Sequence, residues 1–303
     1  MIREINEFTI TDAAIDQMSG TPNPRMKEIM EILVKHLHAF AREANLTPEE
    51  WLQGIAFLTA VGQKCTPYRQ EFILLSDTLG LSALINSLHD KRAVDQSMTK
   101  SSLLGPFYRQ DSPKKALGDS IAAKTDGPII GLYGKVTDAS GKPIPNASIE
   151  VWGTDDDGAY DLQKQDPSMM DVRGHFHTNE KGEYWFRTVA PLGYMIPMDG
   201  PVGEMVLAQK RHGYRPAHIH FLIGAPGCRE ADTALYVAPD DHIDSDTVFG
   251  VTESLVVEPK KNDPASPFPN LPSIKFDFAL SRVADNMTGR VGADPSQITK
   301  VSH

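Results

Sequence analysis

Over the first hundred residues, apolar positions recur every three or four residues. Met26, Ile29, Met30, Leu33, Leu37, Phe40 and Ala41 form one stripe, which predicts an amphipathic helix. Thr47-Pro48-Glu49-Glu50 follows and reads as a capping box. Thr47 can cap free N–H groups, Pro48 suits the first turn, and Glu50 can reach back. Trp51, Ile55, Leu58 and Val61 supply the next apolar face, and a further helix is expected over Tyr68 to Leu88. Near Thr99 the character changes to short β-rich runs separated by turn residues. Ile129 to Val136 and Ala147 to Trp152 read as strands joined through the Ser140-Gly141-Lys142-Pro143 turn. His175 to His177 and Tyr184 to Val189 predict a hairpin around Asn179-Glu180-Lys181-Gly182. Ala217 to Ile223, Leu235 to Val237, Val248 to Val256 and Ile274 to Leu280 add strands. Helices followed by many short strands predict a mainly β protein with α: a helical N-terminal domain over 1–100, a β-sandwich over 101–282, and a loosely attached polar tail over 283–303. No internal repeat is visible.

Charge and composition narrow the class. Of the 303 residues, 40% are hydrophobic and 23% charged, as in an ordinary globular protein. The formal net charge of −10 disfavours nucleic acid as a partner. No apolar run is long enough to span a bilayer, and the start, Met1-Ile-Arg-Glu-Ile-Asn-Glu, lacks a signal-peptide pattern. Cys65 and Cys228 are the only cysteines and form no CxxC pair, so neither a thiolate zinc site nor a disulfide scaffold is expected. A reduced, cytoplasmic protein is the expectation. Any metal would be held by nitrogen or oxygen, for which there are 10 histidines and 8 tyrosines.

Three His-x-His pairs are candidates. His36 and His38 fall in the helical stretch, where residues two apart do not share a face, so they read as helix surface. His218 and His220 lie in an expected strand, where residues two apart do share a face. His175 and His177 do as well, and geometry alone leaves these two pairs level. Tyr160, after Asp155-Asp156-Asp157-Gly158-Ala159, and Tyr194, after Pro191-Leu192-Gly193, could each project from a loop at the sandwich edge. The blander reading is a half-buried aromatic whose hydroxyl finds water. The acidic run itself reads as a solvated turn.

The segments around these residues resemble the intradiol ring-cleavage dioxygenases over nearly the whole chain, from about Phe8 to Arg282. Ser102-Leu103-Leu104-Gly105-Pro106-Phe107-Tyr108 resembles the lead into their catalytic domain. Gly134-Lys135-Val136, Gly141-Lys142-Pro143-Ile144 and Glu150-Val151-Trp152 resemble their first sandwich hairpin. Asp157-Gly158-Ala159-Tyr160 and Pro191-Leu192-Gly193-Tyr194 resemble the two ligand-tyrosine loops, and Arg211 to Phe221, with Arg215-Pro216-Ala217-His218-Ile219-His220, resembles the arginine and histidine strand. The resemblance implies Fe(III) held by Tyr160, Tyr194, His218 and His220, with His175 and His177 outside the ligand set. Phenolates are hard anionic donors that suit a ferric ion. It also implies that Tyr194 leaves the metal and takes a substrate proton, and that Arg215 stabilises negative charge developing on the ring. An aromatic diol or triol and O2 are the implied substrates. A homodimer through the N-terminal helices, able to enclose a lipid, is the implied assembly.

The helical extension argues against the protocatechuate type within this family. Arg69 to Gly80, Ile196 to Gly203 and Val248 to Val251 resemble hydroxyquinol 1,2-dioxygenases. By position, Leu74, Asp77, Leu103, Gly105, Pro106, Phe107, Ile196 and Pro197 would line the ring pocket together with Arg215. Asp77 could accept a hydrogen bond from a third ring hydroxyl; the competing reading is a helix-surface carboxylate. Ala234 departs from the family pattern, which carries a glutamine or histidine there. The implied reaction is cleavage of hydroxyquinol to 3-hydroxy-cis,cis-muconate, with catechol cleavage as the alternative within the family. From other classes, a divalent-metal site of His175, His177, His218 and His220, or a non-catalytic sandwich binding module, also fits the pattern.

Overall fold

The capping box at Thr47 forms: the Thr47 backbone N–H donates to Glu50 Oε2 at 2.9 Å, and the Glu50 N–H donates to Thr47 Oγ1 at 3.2 Å. It opens α3 (Pro48–Lys64), which follows α1 (Ile10–Asp16) and α2 (Pro24–Glu43). The computed structural model describes residues 4–66, 69–93, 97–164, 166 and 169–282. The chain forms two compact units, divided between Ala60 and Val61. In the first unit, Asn23 Oδ1 caps α2 by accepting from the Arg25 and Met26 N–H groups. The α2 apolar stripe stays exposed, at 57% for Met26, 53% for Leu37 and 58% for Phe40.

The second unit takes in the last turn of α3 and all remaining elements. The single helix expected over Tyr68 to Leu88 is two helices, α4 (Glu71–Thr78) and α5 (Leu81–Lys91), bent by 74°. Gly80, at φ +74, causes the break, since a side chain there would be strained. The expected start at Tyr68 lies outside the described residues. No single helix among the described residues is long and apolar enough to cross a membrane.

The strands form two main sheets. In one, β1 (Ile129–Asp138) pairs antiparallel with β4 (Glu183–Val189) and parallel with β10 (Ser273–Lys275) and β11 (Phe278–Leu280). The other runs β3 (Arg173–His177), β2 (Ser148–Gly153), β7 (His218–Gly224), β8 (Ala231–Val237), β9 (Val256–Val257). Both expected hairpins are therefore corrected. The Asn179–Gly182 turn is tight, with the Gly182 N–H donating to Asn179 O at 2.9 Å, but β3 and β4 lie in different sheets, as do β1 and β2. These turns pass the chain between layers, so each strand buries its apolar face against the opposite sheet. Leu132, Val136, Ile149, Val151, Phe186, Ile219, Phe221, Leu235 and Phe278 fill that interior.

The expected strand from Val248 to Val256 shrinks to Val256–Val257. Phe249 sits at φ 60, and a Cβ on Gly250 would lie 3.0 Å from Arg215 Nη2. The segment is shaped by a close approach to Arg215 and cannot extend as a strand. A short ribbon, β5 (Tyr194–Met195) with β6 (Tyr214–Arg215), and helix α6 (Pro201–Ala208) complete the unit.

Candidate active site

Strand β7 alternates. Ile219, Phe221 and Ile223 face the sandwich interior, which leaves His218 and His220 on the other face. That face is also closed to solvent, with both histidines at or below 2% exposure. His218 Nδ1 lies 2.7 Å from the Pro216 carbonyl. A carbonyl only accepts, so the ring hydrogen sits on Nδ1 and Nε2 carries the lone pair. That Nε2 lies 3.1 Å from His220 Nε2, 3.2 Å from the Tyr160 hydroxyl and 3.1 Å from Arg215 Nη1. Burial, reinforced by the Arg215 charge, holds His218 well below the usual imidazole range. Burial, His218 and Arg215 do the same to His220. Both rings are neutral at neutral pH, the form that binds metals. Trp152, opposite His220 across β2 and β7, stacks on it at 5.0 Å with a 4° interplanar angle and fixes the ring.

Tyr160 leaves the Asp155–Gly158 turn and is fully buried. Phe107 stacks on it at 4.4 Å, and Tyr194 meets it edge-on at 5.5 Å. Burial, then Tyr194, pushes the Tyr160 phenol well above its ordinary range. Without a cation it stays protonated; a bound metal ion would reverse that. Tyr194 is held by the β5–β6 ribbon, where its register partner is Arg215.

Arg215 is the electrostatic centre of the site. It pairs with buried Asp246, Nε to Oδ1 at 3.2 Å, and donates from Nη2 to the Tyr236 hydroxyl at 3.3 Å. Burial opposes its charge, but Asp246, Tyr194 and Tyr236 more than offset this, so it stays protonated. Asp77 is not on a helix surface. It is 6% exposed, and burial raises its carboxyl above the ordinary range against the opposing pull of a Ser82 hydrogen bond and the Arg215 charge. Leu74 is buried one helical turn earlier. A Cβ at Gly105 would lie 3.6 Å from His220 Cε1, which places the Leu103–Phe107 loop over the histidines. Ile196 is buried, anchored by its N–H donating to Gly213 O at 2.8 Å, while Pro106 and Pro197 are half-buried beside their neighbours. Ala234 is fully buried opposite His220.

The remaining candidates separate from this cluster. His175 and His177 lie on the edge strand β3, with β2 between them and β7. Two strand spacings of ~4.8 Å put roughly 10 Å between the backbones of the pairs, too far for one ion to take all four imidazoles. His175 Nε2 instead meets Ser148 Oγ at 2.8 Å. His36 is exposed on α2, and His38 Nδ1 meets Thr11 Oγ1 at 3.0 Å. Asp155 accepts from the Asp157 and Ala159 N–H groups, each at 3.0 Å, and pairs with Lys164. Sequence reasoning missed Trp152, Asp246, Tyr236 and the Arg173–Asp161 ion pair, all of which act across long sequence separations.

Two phenol oxygens and two neutral imidazoles therefore gather beside one buried guanidinium. This donor set fits an N/O-liganded ferric ion and lacks the thiolates a soft metal would take.

Comparisons with known proteins bear on this arrangement. Residues 103–282 match the family model described as "Dioxygenase", and residues 23–97 match "Catechol dioxygenase N terminus". The chain is 44% identical to the 6-chlorohydroxyquinol 1,2-dioxygenase of Cupriavidus pinatubonensis, over 84% of this chain and 92% of that one. It is 41% identical to the hydroxyquinol 1,2-dioxygenase of Rhodococcus opacus, over 91% and 94%. The solved hydroxyquinol 1,2-dioxygenase of Pseudomonas putida superposes with a TM-score of 0.84 at 42% identity, covering 91% of this chain and 99% of that one.

Proposed function

This chain belongs to the intradiol ring-cleavage dioxygenase family, and from that membership we propose that it opens hydroxyquinol, benzene-1,2,4-triol, with O2 to give 3-hydroxy-cis,cis-muconate, the enol form of maleylacetate. The carbon–carbon bond between the two adjacent hydroxylated carbons breaks. Each of those carbons ends as a carboxylate, both oxygen atoms of O2 enter the product, and the ring supplies the electrons. The observation that carries this reading is the convergence of His218, His220, Tyr160 and Tyr194 beside Arg215.

The four residues would hold the metal as Tyr160 Oη, Tyr194 Oη, His218 Nε2 and His220 Nε2. Ferric iron bound there acidifies the diol hydroxyls and draws electron density from the ring. The protein's own groups do the rest. Tyr194 Oη, within 3.5 Å of Arg215 Nη1, takes up a substrate hydroxyl proton. The Arg215 charge, fixed by Asp246, stabilises negative charge on the ring. Phe107 and Trp152 hold Tyr160 and His220 in place and keep water from the ring faces. Asp77 accepts from the third ring hydroxyl, a contact plain catechol cannot make.

The exposed stripe on α2 supports a homodimer formed through the N-terminal helices, with a lipid enclosed between their apolar side chains. An apolar face of this kind is rarely left to solvent, and a two-fold pairing closes it. O2 uptake by iron-loaded protein tests the substrate assignment. Higher kcat/KM on hydroxyquinol than on catechol or protocatechuate is expected; faster turnover of catechol would overturn the hydroxyquinol assignment and leave the ring chemistry standing.

A further inference from the structure

Arg173 is a charged side chain with only 1% exposure, set on β3 in register with Trp152, which in turn opposes His220. It belongs to none of the groups that would touch substrate or metal, yet two of its three guanidinium nitrogens are committed to residues that hold Tyr160. Nε donates to Asp161 Oδ2 at 2.9 Å and Nη2 to Asp161 Oδ1 at 2.6 Å, a two-pronged buried pair with the residue directly after Tyr160. Nη2 also donates to the Phe107 carbonyl at 3.0 Å. The Phe107 ring lies flat on the Tyr160 ring, 4.4 Å between centroids and 19° between planes. One guanidinium thus fixes both the backbone that carries the phenol and the loop whose ring covers its face.

We propose that Arg173 is a positioning residue for the Tyr160 phenolate. It locks the Tyr160 loop to β3 and the Phe107 loop to Tyr160, so that the phenol oxygen is held at His218 before any metal arrives.

Stability alone explains this arrangement poorly. Burying an arginine and an aspartate is expensive, and a pair of apolar side chains of similar volume is often as stable or more so. What the pair adds is direction: a planar fork matched to a carboxylate permits one geometry. The remaining nitrogen, Nη1, is buried without a hydrogen-bond partner among the described residues, a further cost borne by this arrangement. Arg173 also places a positive charge close enough to favour an ionised Tyr160 and a neutral His220. Groups that orient a metal's ligands from behind commonly change metal affinity 10- to 100-fold when removed.

The inference rests on the proposed iron-binding reading, and the experiment separates the two. Arg173→Lys keeps the charge and loses the fork. Arg109 Nη1, 3.6 Å from Asp161 Oδ2, still faces the carboxylate, which favours folding of the variant. The double variant Arg173→Met/Asp161→Leu removes both charges and covers the case in which the lysine does not fold. The readouts are iron stoichiometry and affinity by competition with a chelator, the position of the phenolate-to-iron absorption band, and circular dichroism for the fold. Wild type with one iron and a visible band establishes the iron reading; wild type without them refutes that reading, and this inference with it. Given an iron-binding wild type, the expected result is a folded variant with iron affinity lowered about 10- to 100-fold and a shifted band. A folded variant, single or double, with wild-type affinity and band position would overturn the proposal. So would a variant that loses thermal stability alone.

Discussion

Tyr194 and Arg215 are register partners across the β5–β6 ribbon, and Arg215 Nη1 lies 3.5 Å from the Tyr194 hydroxyl. The same guanidinium reaches His218 Nε2 at 3.1 Å and is anchored from behind by Asp246. One residue of a two-stranded ribbon therefore links a candidate base, a candidate ligand and a fixed positive charge. Arg215→Lys keeps a charge and cannot reach Tyr194, His218, Tyr236 and Asp246 together. The expected loss in kcat is roughly 100-fold or more, the scale for a lost charge-stabilising donor. Steady-state O2 uptake at saturating substrate measures it, and a change confined to KM would contradict the role. Arg215→Ala should in addition cost about 3–5 kcal/mol of stability, because Asp246 is left buried and uncompensated.

Tyr160→Phe and Tyr194→Phe each remove an anionic donor from the proposed iron. Both should bleach or shift the visible band of the iron-loaded protein. The Tyr160 variant should also lower iron occupancy, because that phenol is locked between Phe107 and His218. Metal analysis alongside the spectrum checks this; an unchanged band in both variants contradicts the ligand assignment.

The site was unevenly legible in the sequence. His218 and His220 were readable because a strand's two-residue period puts both on one face, and the same period could not choose between them and His175 with His177. The family resemblance preferred His218 and His220, and the three-dimensional order of strands gives the physical reason by inserting β2 between the pairs. Tyr160 follows a turn and Tyr194 opens the two-residue strand β5, both too short for a periodic signal, so their neighbouring turns made them candidates and only the family resemblance preferred the ligand reading to that of half-buried aromatics. Asp246 and Arg173 could not be found by pattern, since each acts through a partner far along the chain or in another element. Two features were within reach and missed. Gly200-Pro201 marks the start of α6, with proline at the first helical position, and Gly80 marks the end of α4. The paired strands were harder: their turns were visible in the sequence, but which sheet each strand joins depends on long-range packing.

Asp77 is buried and feels the Arg215 charge, and as the proposed acceptor its removal should matter most when the substrate has a third hydroxyl. A hydrogen bond to a charged group contributes about 1.5–3 kcal/mol, or roughly tenfold to a hundredfold in specificity at ~1.4 kcal/mol per decade. Asp77→Ala should lower kcat/KM for hydroxyquinol by that factor more than for catechol. Equal losses on the two substrates would show a structural role instead.

The loop before α6 carries a pH-sensitive tie. Hydrogen bonds from Arg69, foremost, and Lys64 hold the Asp199 carboxyl down to about 2. The ordinary value is ~3.9, so its contribution to stability is fully present above that pH and is lost as pH falls through about 2. The Asp199 side chain is 65% exposed, so the contribution is at most about 1 kcal/mol. Asp199→Asn should flatten the decline in melting temperature between about pH 4 and 2; an identical decline in the variant would show that other carboxylates govern it.

An α2 face with Met26, Ile29, Leu33, Leu37 and Phe40 exposed should draw two chains together. Light scattering at micromolar concentration should give about twice the 33.3 kDa chain mass. Leu37→Glu should shift the protein toward monomer, and a wild-type monomer would rule the pairing out.

The central claim is that the ring opens between its two adjacent hydroxylated carbons with both oxygens drawn from O2. Turnover of hydroxyquinol by the iron-loaded protein under 18O2, with the product read by mass spectrometry, tests it directly. The account predicts 3-hydroxy-cis,cis-muconate or its keto form maleylacetate, carrying two labelled oxygens. A semialdehyde from cleavage outside the diol, or an unlabelled quinone with hydrogen peroxide, would contradict it.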